Sequence, residues 1–107
     1  MRFKVIVGDD VYAVEVSPAA LEGGADVFAR LDRDMDRGWQ MSREYVEKPD
    51  GMQRCQIAAD RLLTSIMNGN SATATMMAAY IVTCMPGVIG VDVDTTGEMQ
   101  NTELLYA

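Results

Sequence analysis

The sequence predicts an α+β domain in which an N-terminal β-hairpin and one or two C-terminal strands form one small sheet, packed against about three helices. Three observations lead there. Apolar residues alternate with period two at both ends of the chain, over residues 2–7, 12–16 and 88–94. Between these runs they recur at helical spacing. The 107 residues, 49% of them hydrophobic, fit one domain, 1–107, with a core of its own.

Phe3, Val5 and Val7 fall on one side of the first run, opposite Arg2, Lys4 and Ile6. After the turn residues Gly8-Asp9-Asp10, the alternation resumes with Tyr12, Val14 and Val16, which completes a hairpin. Ser17-Pro18 is a helix start, since serine caps and proline tolerates the first helical position, and Gly23-Gly24 breaks that first turn. From Ala25, the spacing of Phe28, Leu31 and Met35 puts three large side chains on one helical face, which ends at Gly38.

Asp50 and Gln53, just after Pro49, form a capping-box start. Met52, Cys55, Ala59, Leu62 and Ile66 follow as the inward stripe, opposite Arg54, Arg61, Thr64 and Asn68, and Gly69 ends the helix. Asn70 or Ser71 caps the next helix, which is apolar nearly all round and is expected to be buried within its own domain or a dimer. Pro86-Gly87 ends it. Ile89, Val91 and Val93, against Gly90, Asp92 and Asp94, predict a third strand. Thr95-Thr96-Gly97 reads as a turn, and 99–105 as a weaker fourth strand.

Sixteen acidic residues against nine basic give a formal charge of −7, with no basic run. Nucleic acid and anionic membrane are therefore not expected partners, because both require clustered cations. A basic protein surface or a cation is the better match. The opening residues lack the long apolar run and small-residue cleavage site of a signal peptide. The longest apolar stretch, 72–85, is too short to span a membrane and carries Thr73, Thr75 and Thr83. Cys55 and Cys84, far apart on separate helices, are expected as free buried thiols of a cytoplasmic protein.

The chain has no histidine, so an imidazole general base and the Ser-His-Asp and Cys-His arrangements are excluded. Nor is there a C-x-x-C pair, a G-x-G-x-x-G or a Walker-type loop. Acid–base chemistry would rest on carboxylates, Tyr, Lys or a metal-bound water.

The sharpest pattern is Asp32-Arg33-Asp34-Met35-Asp36-Arg37-Gly38, continuing to Glu44. Alternate carboxylates, a sharp glycine turn and a final glutamate are what Ca²⁺ needs of its loop. The segment resembles the EF-hand loop with one residue, Arg37, inserted before the glycine. That resemblance implies Ca²⁺ or Mg²⁺ held by Asp32, Asp34, Asp36 and Glu44. The same aspartates also fit the solvated face of the helix carrying Phe28, Leu31 and Met35, with Arg30 and Asp34 as an i,i+4 pair worth a few tenths of a kcal/mol.

Asp92, Asp94 and Glu98 form a second acidic set. Such a set can hold Mg²⁺ in an enzyme, and can equally be the wet face of an edge strand. Nine methionines and two cysteines fit Cu(I) in ligand softness, but also fit adaptable core packing, since no M-x-x-M series is present. Trp39, Met41, Arg43 and Tyr45 are residue types that anchor interfaces, and Trp39 can also plug a helix–helix corner.

The leading expectation is a small, soluble, non-catalytic accessory module of the cytoplasm, acting through a protein partner or as a homodimer. A Ca²⁺- or Mg²⁺-binding regulatory module and a carboxylate-based, metal-dependent enzyme are the alternatives.

Overall fold

The predicted hairpin forms in the computed structural model, which describes residues 1–107. Strand β1 (Arg2–Val7) pairs antiparallel with β2 (Asp10–Glu15), Val5 opposite Tyr12 and Val7 opposite Asp10. Phe3, Val5, Val14 and Val16 are buried, so the period-two reading selects the correct inner face. Helix α1 (Pro18–Gly23) starts at Ser17, whose hydroxyl accepts the Ala20 N–H at 3.2 Å. Helix α2 (Ala25–Asp36) buries Phe28, Leu31 and Met35. It ends before Gly38, whose φ of +97° suits a residue without a Cβ. A Cβ there would also collide with the Tyr45 hydroxyl.

The segment after α2 departs from expectation. Trp39–Met41 (β3) and Glu44–Val46 (β4) form a second, two-stranded hairpin across a Ser42-Arg43 loop. Three-residue strands are too short to display alternation. Ser42 holds φ +60°, and its hydroxyl accepts the Met99 N–H at 2.9 Å, fixing the loop to the C-terminal region.

Helix α3 (Gly51–Met67) carries the predicted capping box in both directions, at 2.8 and 2.9 Å. Its stripe buries Cys55, Ala59 and Leu62, while Met52 is exposed. Gln56 is buried beside the stripe because its amide donates to the Gln100 and Thr102 carbonyls, at 2.9 and 3.1 Å. Helix α4 (Ser71–Cys84) is capped by Asn70 and buries Ala74, Met77, Ala78, Ala79, Tyr80 and Ile81. It packs against α3, α1, β2 and β5 (Val88–Val93), which cover most of its apolar side chains and leave Met76 and Val82 half-buried.

A 3₁₀ turn at Met99–Asn101 precedes β6 (Glu103–Tyr106), the weaker strand, shorter than the 99–105 span expected. The four-stranded sheet runs β2-β1-β5-β6, so strands from both ends of the chain meet, as the α+β reading requires. β1 and β5 are parallel, with the helices between them as the crossover, and β6 is antiparallel to β5. A register shift between Val88 and Gly90 turns Val88 into the core and exposes Ile89, reversing the predicted side of Ile89. Helices cover one face of the sheet. The other carries Lys4, Val11, Ala13, Asp92 and Glu103, all exposed. No helix is long and apolar enough to cross a membrane.

Candidate functional site

The acidic segment does not form a cation loop. Asp32, Asp34 and Asp36 ride on α2, which stays helical through Asp36 because the Phe28–Leu31–Met35 stripe holds that turn against the core. An EF-hand loop needs the chain to leave the helix at its first ligand. Here the i,i+4 carboxylates Asp32 and Asp36 instead face Arg54 of α3. Its Nη1 donates to Asp32 Oδ1 at 3.1 Å and its Nη2 to Asp36 Oδ1 at 2.6 Å. A guanidinium occupies the electrostatic role a cation would have taken. Asp34 points elsewhere, exposed and without an ion pair to Arg30, and Glu44 accepts from Gln100 Nε2 at 2.6 Å. The four proposed ligands are thus divided among three environments.

Arg54 itself lies on the face the sequence assigned to solvent, yet its side chain is only 14% exposed. Its Nε donates to the Pro49 carbonyl at 2.9 Å, and Nη1 also reaches the Asp32 carbonyl at 3.3 Å. Hydrogen bonding to Asp36 raises its pKa above the already high arginine value. Asp32 Oδ1 also accepts from the Tyr80 hydroxyl at 2.6 Å. Burial, then this bond, raises the tyrosine's pKa.

The interface set is divided as well. Met41 is fully buried and Trp39 half-buried against the core, which removes Met41 from any docking surface. Arg43 stands at the exposed tip of the β3–β4 hairpin. Tyr45 is exposed, its hydroxyl donating to the Arg37 carbonyl at 2.9 Å.

In the second acidic set, Asp94 is committed to a turn. Its carboxylate accepts the Glu98 and Thr96 N–H groups, both at 2.9 Å, and the Thr96 hydroxyl. Those bonds, that from Glu98 foremost, hold its pKa below the usual carboxylate range. Glu98 caps the 3₁₀ turn through the Gln100 N–H at 3.2 Å, and Asp92 sits in register with Glu103. No three carboxylates or thiols anywhere in the chain are placed to hold one metal ion. Of the surface grooves, one of about 360 Å³ is lined by Asp92, Asp94 and Glu103, without Glu98. Another of about 340 Å³ places Arg30, Asp34 and Arg61 over Val27, Leu31 and Met76.

Next to the Asp32–Tyr80 bond lies a thiol pair that the sequence reading kept apart. Cys55 is buried as expected, but Cys84 is exposed at the end of α4. Cys55 stands 14 residues before Gly69 and Cys84 14 residues after Asn70, so folding the two helices about that turn brings the cysteines level. Ala58, Ala59, Ala74, Ala78 and Ala79 keep side chains small in the buried parts of both helices, which suits close approach. The Cys55 thiol hydrogen-bonds the Cys84 sulfur and draws the Cys84 pKa down to about 7, while Cys55 itself is pushed up. Tyr80 and Arg54 favour the Cys84 thiolate; burial and Asp32 oppose it. Counting outward from the helical turn would have revealed this pair, whereas Arg54 left no sequence signal because its partners lie on another helix. No protein-family model, curated protein or solved structure matches the chain.

Proposed function

We propose that this chain is a small, non-catalytic, cytoplasmic module that binds a basic protein surface through the uncovered face of its four-stranded sheet. The distribution of charge on that face carries the reading. Asp92, Asp94 and Glu103 gather at one end of the sheet, beside the Gly8-Asp9 turn. Arg2 and Lys4 are the only basic residues in its strands, toward the other end, and the remaining seven basic residues lie between positions 30 and 61. Val11, 61% exposed, and the half-buried Ile6 and Leu105 supply an apolar centre. An apolar patch with an acidic rim complements a partner presenting Lys or Arg around apolar side chains.

A second copy of the chain is a poorer match, because it shares the net charge of −7. Most apolar side chains of α4, the helix that suggested a dimer, pack against their own chain.

The test is a nitrogen-15 NMR titration with a Lys- and Arg-rich amphipathic peptide. Shifts confined to residues such as Ile6, Val11, Asp92, Glu103 and Leu105, and abolished in Val11→Lys and Asp92→Lys, support the reading. Shifts spread evenly over the acidic residues, no shifts, or dimerisation of the chain through this face would overturn it.

A further inference from the structure

We propose that Cys55 and Cys84 form an oxidisable dithiol, in which peroxide converts the exposed Cys84 and the buried Cys55 to an intramolecular disulfide joining α3 to α4. The antiparallel register of the two helices sets the cysteines level across the pair. The two thiols lie near enough for each to shift the other's ionisation. One thiol is open to a dissolved oxidant and the other is shielded, which divides them into attacking and resolving roles.

The surroundings of Cys84 support the first step. The Cys55 S–H and the Tyr80 hydroxyl stabilise a thiolate there, and Arg54 adds positive charge. Asp32 and the carbonyl end of α4 act against it. With its pKa near 7, a substantial fraction of Cys84 is thiolate at neutral pH.

The chemistry balances with hydrogen peroxide as the oxidant. The Cys84 thiolate attacks one peroxide oxygen, the O–O bond breaks, and the other oxygen leaves as hydroxide. Cys84 becomes a sulfenic acid, oxidised by two electrons, and the peroxide is reduced. Cys55 then gives up its thiol proton and its sulfur attacks the Cys84 sulfur. The S–S bond forms, the S–O bond breaks, and the departing hydroxide takes up a proton as water. Overall, two thiols and one peroxide give one disulfide and two waters. A small dithiol reductant reverses the change by thiol–disulfide exchange.

The experiment treats the reduced full chain with hydrogen peroxide, denatures it in iodoacetamide, and reads the intact and peptide masses. The expected product is a monomer that has lost two hydrogens, takes up no alkyl group, and shows Cys55 and Cys84 peptides linked until dithiothreitol is added. Cys84→Ser should leave Cys55 fully alkylatable under the same exposure. In the absence of peroxide, native alkylation should occur at Cys84, rise through about pH 7, and spare Cys55 by at least tenfold. A product in which Cys84 carries oxygen while Cys55 still alkylates would show an isolated reactive thiol and overturn the proposal. So would a Cys84–Cys84 linked dimer, or two thiols unchanged by peroxide.

Discussion

Asp32 and Tyr80, 48 residues apart, are joined by a 2.6 Å hydrogen bond that ties the middle of α2 to α4. The same Asp32 oxygen also receives Arg54 of α3, so a single carboxylate links three helices. Tyr80 is 1% exposed, and its hydroxyl donates to this carboxylate while lying beside the Cys84 thiol.

Replacing Asp32 should therefore cost more than its surface position suggests. Asp32→Ala leaves the Tyr80 hydroxyl without its carboxylate acceptor and Arg54 with one ion pair, a loss of about 1–3 kcal/mol. Asp34→Ala, two positions away and without an ion pair, should stay within about 0.5 kcal/mol. Urea denaturation of both variants measures the difference, and equal costs would refute the bridging role of Asp32.

Ca²⁺ and Mg²⁺ should leave the protein unchanged. Binding at residues 32–44 would have to displace Arg54 from Asp32 and Asp36 and unwind the last turn of α2. A titration followed by the fluorescence of Trp39 and by melting temperature should be flat. A saturable response lost in Asp34→Asn would restore the loop reading.

Gly90→Ala should be among the most damaging small substitutions. Gly90 faces Lys4 across the parallel β1–β5 pair, and a Cβ there would collide with the Lys4 carbonyl oxygen and approach its Cβ to 2.9 Å. Both are part of the sheet and cannot swing aside, so the expected loss is about 1–3 kcal/mol. Gly51→Ala, in open space at the start of α3, is the control and should stabilise by under about 1 kcal/mol. Thermal unfolding of the pair decides the matter. A neutral Gly90→Ala would mean that β1 and β5 are less closely paired than described.

Asp94 should add an acid-sensitive contribution to stability. Its pKa is lower folded than unfolded, so the folded chain retains the carboxylate charge to lower pH. The contribution is complete above the ordinary aspartate range, at roughly pH 4. It disappears as pH falls through the lower folded value. The melting temperature of Asp94→Asn should lie below that of the parent at neutral pH, and the gap should close in acid. A gap independent of pH would mean that the turn does not depend on the charge.

Much of the architecture was legible in the sequence because its signals are local. A capping box involves residues three apart, a hairpin needs a turn between two alternating runs, and a helical stripe repeats within two turns. Asp50 with Gln53, residues 2–16, and Phe28 with Leu31 and Met35 therefore specify their elements without reference to the rest of the chain. Ends rich in strands separated by helices also implied one sheet. The tertiary structure alone decided what each polar side chain meets. The aspartates of α2 look alike in sequence, yet packing against α3 gives Asp32 and Asp36 to Arg54 and leaves Asp34 in water. The β5 bulge reversed Ile89, and the short β3–β4 hairpin turned Met41 into the core. Folding α3 against α4 brought Cys55 to Cys84, because long-range contacts depend on how elements are placed and not on the spacing within any one of them.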